Sequence, residues 1–391
     1  MFYDAVAVIH PGANFSNIKS VCITKELTTM KTLQTLWTAA AISAAALCFG
    51  PEAEACTRVV YAGHDNTAIT GRNLDWKTPI PTNLYVQPRG ISRVSAQGDN
   101  ALRWRSLYGS VVAVGYDMGV SEGMNERALV CNLLYLPGTE YKLPNETRRP
   151  MSSSLWAQYI LDNYATVAEA VEGLSRDAFY IDAPDMPGGA STTLHAALSD
   201  ASGDCAIIEY INGRISIHHG RECRVLTNAP VYDSQVAVEQ YWARIGGMKM
   251  LPGTNSSSDR FVRASFYVGC IPDTVRHEVA LAGVFGVLFN CAVPVGISVP
   301  DSPEVSQTQW RSVADHSNLV YYYATTYNPS VMWVDLRQFD LREGAPTMKL
   351  DIINQTKAYI GNVRDDMHPD KGFVPMFSME QWRCSQKPGK P

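Results

Sequence analysis

The stretch Ala53-Glu54-Ala55-Cys56-Thr57 constrains this chain more than any other, because it follows an apolar run and ends on a cysteine. Small residues at Ala53 and Ala55 form the A-x-A pattern that precedes signal-peptidase cleavage, so a cut between Ala55 and Cys56 is expected. The product would carry a thiol and a primary amine on one residue. The thiolate is a nucleophile, and an α-amine of ordinary pKa, about 7.7–8.0, can take the thiol proton near neutral pH. Two other readings fit the same stretch. Cys56 can be an ordinary mature terminus, or it can be lipidated, although lipoprotein signals usually place Leu where Ala53 stands.

The segment upstream reads as a leader, residues 1–55. Its signal peptide is expected over 30–55, opening at Met30-Lys31, with Leu36 to Phe49 as the apolar region and Gly50-Pro51 as a breaker. The apolar stretch is too short to span a bilayer comfortably, so no stable membrane span is expected. Residues 1–29 resemble neither signal nor fold, which suggests a start at Met30. Export to a bacterial periplasm or exterior follows as an expectation. A disordered tail is expected over 386–391, and no linker or internal repeat divides 56–385, which reads as one domain.

Composition excludes one class of partner. The chain of 391 residues has a formal net charge of −5; three lysines and four acids lie in residues 1–55, leaving 30 basic against 34 acidic residues, a net −4. With no basic run and no aromatic-basic interleaving, nucleic acid is not expected as a partner. The nine cysteines show no CxxC and no dense framework, so most are expected as buried thiols. His218-His219 invites a metal reading, but adjacent side chains on a strand point to opposite faces. No metal or other cofactor is expected.

Beyond Cys56, Thr57 to Ala62 and Thr67 to Arg72 read as a hairpin that turns at Gly63-His64-Asp65-Asn66 and returns the chain beside its new terminus. Arg72 and Asp75 then lie near the nucleophile. A cation there stabilises a thiolate, and a carboxylate can hold an α-ammonium by a charge-assisted hydrogen bond. Further strands are expected over Ser110–Tyr116, Ala128–Tyr135, Thr192–Ser199, Cys205–Ile211 and Arg214–His218, with a turn at Gly123-Met124-Asn125-Glu126. Asn212-Gly213 signals a type I′ hairpin. Strands are also expected over Val225–Pro230, Tyr321–Thr326 and Val331–Val334. Helices are expected from Ser152–Ser154, from the Thr166…Glu169 capping box, over Ser234–Ile245, from Arg260, and as a buried helix over Val279–Phe289. Asp182 to Gly189 reads as an irregular loop at a pocket rim.

Five motifs, with the terminal Cys56-Thr57, come in a telling order: Gly71-Arg72-Asn73-Leu74-Asp75, Gly123-Met124-Asn125-Glu126, Leu226-Thr227-Asn228-Ala229-Pro230, Leu251-Pro252-Gly253 and Arg260-Phe261-Val262-Arg263. Together they resemble the choloylglycine hydrolase family of conjugated bile salt hydrolases and penicillin V acylases, which are N-terminal-nucleophile amidases. The resemblance covers nearly all of the chain beyond Cys56. It implies an α+β fold, an αββα four-layer sandwich with two antiparallel sheets between helical layers.

The same resemblance implies roles. Cys56 is nucleophile and, through its amine, base; Arg72 and Asp75 hold it; Asn228 donates to the oxyanion; Arg260 completes the polar network. Tyr135 falls where bile salt hydrolases carry Asn and penicillin V acylases Tyr, its backbone N–H being the second oxyanion donor. The implied reaction is hydrolysis of a linear, non-peptide amide through a thioester. An apolar acyl group is expected among Leu74, Trp76, Tyr135 and the loop around Met186. Glycine- or taurine-conjugated bile salts are the first expectation, with penicillin V and N-acyl homoserine lactones as alternatives, Tyr135 pulling toward the penicillin V branch. The Asn228–Arg260 segment is shorter than in many family members that form tetramers, so a homotetramer is weakly implied. From another class, an envelope or binding lipoprotein with a non-catalytic Cys56 remains the rival reading.

Overall fold

In a computed structural model, residues 56–185, 192–298, 306–328, 330–378 and 380 are described. The leader 1–55, Met186 and the tail 386–391 lie outside them. Two large sheets face each other. The first has seven strands in the spatial order Val225–Leu226, Thr57–Ala62, Ala68–Trp76, Gln307–Asp315, Val320–Thr325, Met332–Asp335 and Gly361–Asn362. All neighbours are antiparallel except the last pair. The second has nine: Arg214–His219, Cys205–Ile211, Leu194–Ser199, Val130–Tyr135, Gly119–Asn125, Ser110–Gly115, Thr82–Gln87, Thr347–Leu350 and His368–Asp370, antiparallel throughout.

Strand periodicity explains how both faces of the second sheet are buried. Leu84, Val86, Val111 and Ala113 pack into the core shared with the first sheet, whereas the intervening Tyr85, Val112 and Val114 pack into a separate apolar cluster. That outer cluster is closed by the helices Ser153–Asn163 and Val167–Leu174. Helices Ser257–Cys270 and His277–Cys291 cover the outer face of the first sheet, and Tyr232–Ile245 packs beside Ser257–Cys270. The result is helix, sheet, sheet, helix. Among the described residues no helix is long and apolar enough to cross a membrane.

Local chemistry accounts for several element ends. Thr166 Oγ1 accepts the Glu169 N–H at 3.2 Å, while the Glu169 carboxylate reaches back one residue further, to Ala165 N–H at 2.8 Å. Asn212 and Gly213 both have positive φ, +51° and +78°, as a type I′ turn requires. Gly71 is dictated by packing: a Cβ there would lie 2.7 Å from Val284 and 3.0 Å from Leu288, so only glycine lets helix His277–Cys291 sit this close to the strand.

Three expectations need correction. Gly123-Met124-Asn125 ends a strand that begins at Gly119; the turn starts at Asn125, whose Oδ1 accepts from Arg127 and Leu129 N–H. Only Val225–Leu226 is strand in the segment read as extending to Pro230. Helix His277–Cys291 is buried on one face only, with Val279 and Phe289 exposed. His218 and His219 do diverge, the first lying 3.6 Å from an Asp233 oxygen and the second 2.7 Å from an Asp204 oxygen. The six described cysteines are all unpaired.

Candidate active site

Strand Ala68–Trp76 lies inside the first sheet, between Thr57–Ala62 and Gln307–Asp315, and is buried along its whole length. Its side chains alternate between two environments. Arg72 points into the space between the sheets. Asn73, one residue on, donates to Leu288 O at 2.7 Å and so faces the helices. Thr57 pairs with Asn73, which sets Cys56 at the strand end beside Leu74.

Between the sheets, Arg72 Nη2 donates to Leu133 O at 2.8 Å and lies 3.6 Å from Cys56 Sγ. Its Nη1 meets the Glu122 carboxylate at 2.8 Å, and the guanidinium lies over the Trp310 ring, 5.1 Å from its centroid. Burial works against the Arg72 charge, but Cys56 and Glu122 more than offset it and hold the group above its ordinary pKa. Glu122 also accepts from Asn132, Ser312 and Tyr321.

On the helical side, Asp75 faces Arg260 and Arg311. Burial lifts its carboxyl to about 6, against the pull of Arg260 and the two other arginines. Neither carboxylate oxygen has a hydrogen-bond partner among the described residues. The Thr308 hydroxyl, opposite Asp75 in the ladder and already accepting from Val293 N–H, is near enough to favour the charge without good hydrogen-bond geometry. Burial lowers Arg260 and Arg311 as well, with Asp75 opposing. Arg260 Nη1 spans Cys56 O and Thr57 Oγ1, the latter at 2.7 Å, but its Nη2 is buried and has no partner among the described residues.

Asn228 follows the short strand Val225–Leu226 and meets residue 56 from the other side. Its Oδ1 accepts the Cys56 N–H, and its Nδ2 donates to Tyr135 O at 2.8 Å. Gln235 fixes this segment by donating to Asn228 O at 2.8 Å while accepting from Thr227. Behind it, His195 bridges Thr227 O and Glu209 at 2.8 and 3.0 Å.

Cys56 Sγ opens onto a cleft of about 850 Å³, mouth included, whose walls are overwhelmingly apolar. Leu74, Trp76 and Tyr135 all line it, and the two rings meet edge to face at 5.3 Å. Met186 lies outside the described residues. Ile80, Met118, Val120, Leu133, Leu194 and Met376 add to its apolar wall. A cleft so lined accepts an apolar group with one polar end at the thiol.

All six residues expected to be catalytic, Cys56, Arg72, Asp75, Tyr135, Asn228 and Arg260, thus converge. Glu122, His195, Glu209 and Gln235 are site residues that sequence reasoning missed. Glu122 precedes the Gly123-Met124-Asn125-Glu126 motif, and reading that motif as strand rather than turn would have pointed to it. The other three carry no sequence signal of their own.

Comparison with known proteins identifies the family. Residues 56–356 match the model of the linear amide C–N hydrolases, choloylglycine hydrolase family. The chain is 40% identical to a penicillin V acylase of Pectobacterium atrosepticum over 361 residues, covering 86% of this chain and 96% of the relative. It is 24% identical to a bile salt hydrolase/transferase of Clostridium perfringens, covering 73% and 94%. The solved structure of a penicillin V acylase from Agrobacterium tumefaciens superposes with a TM-score of 0.76 at 45% identity, covering 82% of this chain and 99% of that one. The chain belongs to the choloylglycine hydrolase family of linear amide C–N hydrolases.

Proposed function

We propose that this enzyme is exported, loses residues 1–55, and hydrolyses the side-chain amide of penicillin V or a similar amide with an aromatic acyl group, using Cys56 as N-terminal nucleophile. The observation that carries the reading is Cys56 itself: it lines an apolar cleft, its sulfur is 3.6 Å from a buried guanidinium, and its nitrogen lies against Asn228 Oδ1. The unpaired Asp75 carboxylate supports it. Cys56 Sγ is 3.8 Å from the Asp75 backbone carbonyl oxygen, which brings the two residues side by side, and an α-ammonium created by cleavage would supply a cation to this region.

In the reaction, the α-amine takes the thiol proton and the thiolate attacks the amide carbonyl. A tetrahedral oxyanion forms, stabilised by the Asn228 side-chain amide and the Tyr135 backbone N–H. The ammonium returns its proton to the leaving nitrogen, the C–N bond breaks, and the free amine departs from a Cys56 thioester. Water, deprotonated by the same amine, adds to the thioester carbonyl; the C–S bond breaks, releasing the acid and restoring the thiol. Asn228 suits its role because an amide NH₂ donates without titrating.

The paired rings of Trp76 and Tyr135 favour an aromatic acyl group, and the two penicillin V acylases are far more similar to this chain than the bile salt hydrolase is. This reverses the order expected from sequence, with conjugated bile salts as the second reading and N-acyl homoserine lactones the third. The test is product release from penicillin V and glycocholate, side by side, on the processed protein. Faster cleavage of penicillin V is expected. Faster cleavage of glycocholate would overturn the acyl assignment and leave the chemistry standing.

A further inference from the structure

Arg72 is held from behind by a buried carboxylate. Glu122, fully buried on strand Gly119–Asn125 of the second sheet, places Oε2 against Arg72 Nη1 at 2.8 Å and Asn132 Nδ2 at 3.2 Å. Its Oε1 takes the Ser312 and Tyr321 hydroxyls, which come from two strands of the first sheet. One carboxylate therefore ties Gly119–Asn125 to three strands across the inter-sheet space.

We propose that Glu122, fixed by Ser312 and Tyr321, is a positioning residue for the amide hydrolysis: it sets the rotation of the Arg72 fork that aims Nη2 at Cys56 Sγ and balances the cation's charge at the thiol. The proposal rests on the Cys56 nucleophile reading above. A guanidinium is a rigid plane, so anchoring Nη1 and Nη2 fixes both the plane and the direction of its donors. Arg72 Nε is buried and without a partner among the described residues, which leaves only the two terminal nitrogens to hold the plane. Without Glu122 the fork keeps Leu133 O and the Trp310 face, an arrangement about which it can pivot. Asp75 does not substitute, because its side chain points to the opposite face of the strand from Arg72.

The test compares Glu122→Gln and Tyr321→Phe with the processed wild-type enzyme. Glu122→Gln is expected to lower kcat by about tenfold or more, the scale of a misplaced catalytic group, with KM within about twofold. The rate of Cys56 alkylation by iodoacetate relative to iodoacetamide should rise in Glu122→Gln, because removing a negative charge favours the anionic reagent, and should stay unchanged in Tyr321→Phe, which keeps that charge. Tyr321→Phe, which removes one of the carboxylate's anchors, should lower kcat a few-fold with KM likewise little changed. A folded Glu122→Gln with wild-type kcat and reagent ratio would overturn the proposal. If that variant does not fold, Tyr321→Phe decides, and wild-type kcat there would overturn it. Failure of the nucleophile reading is distinct: Cys56→Ser would then keep its turnover.

Discussion

The two faces of strand Ala68–Trp76 carry buried charge in opposite conditions. Between the sheets, the Arg72–Glu122 pair is nearly saturated, with hydrogen bonds from Asn132, Ser312 and Tyr321 and a backbone acceptor at Leu133. On the helical face, among the described residues, Asp75 has neither oxygen paired and Arg260 leaves one nitrogen unpaired. Buried polar groups are normally satisfied, and each exception calls for a reason. On the proposed reading, the satisfied face positions Arg72, and the Asp75 carboxylate on the other face would gain a further cation, the α-ammonium that cleavage before Cys56 would create.

Breaking the comparison at its centre should have the largest effect. Cys56→Ser should lower turnover by at least about 10³-fold, the scale of losing a nucleophile, as measured by product release at saturating substrate; near-wild-type turnover would remove the assignment. Asn228→Ala should cost on the order of 10²–10³ in kcat, as loss of one oxyanion donor does, with KM little changed. Ligand protection or circular dichroism would separate this from misfolding.

A stability measurement sharpens the contrast. The Asp75 carboxyl is raised from 3.8 to about 6 by burial, so the folded chain binds its proton more tightly than the unfolded chain does. The favourable contribution is therefore full below pH 4 and is lost as pH rises through 6, by about 3 kcal/mol at 1.36 kcal/mol per unit. An uncleaved chain should show this fall in a denaturant titration across pH 4–6. The processed chain should show less of it, since a nearby α-ammonium favours the charged carboxylate. The smallest effect concerns the cleft: Trp76→Ala should raise KM for penicillin V roughly ten-fold or less, in line with about 0.5–1.5 kcal/mol for an aromatic pair, with a smaller change for a linear aliphatic amide.

Much of this site was legible because its residues sit near one another in short motifs. Arg72 and Asp75 lie on the strand that returns beside Cys56, and Asn228 sits in a Thr-Asn-Ala-Pro segment just past a short strand. What escaped depends on strand pairing. Gln307–Asp315 is a central strand of the first sheet, yet Gln309, Arg311, Ser312 and Asp315 make it read as polar surface. Its Ser312 and the neighbouring Tyr321 acquire meaning only when the second sheet brings Glu122 to them. His195, Glu209 and Gln235 are likewise ordinary in sequence, and only the fold gathers them behind Asn228. Alternation along a strand shows which residues share a face, but not what lies opposite.

The most direct test of the central claim is to quench the processed enzyme during penicillin V turnover and map the acyl adduct by mass spectrometry. The account predicts a phenoxyacetyl thioester on a peptide that begins at Cys56 with a free amine. Turnover with the adduct on another residue, or with residue 56 still joined to Ala55, would contradict it.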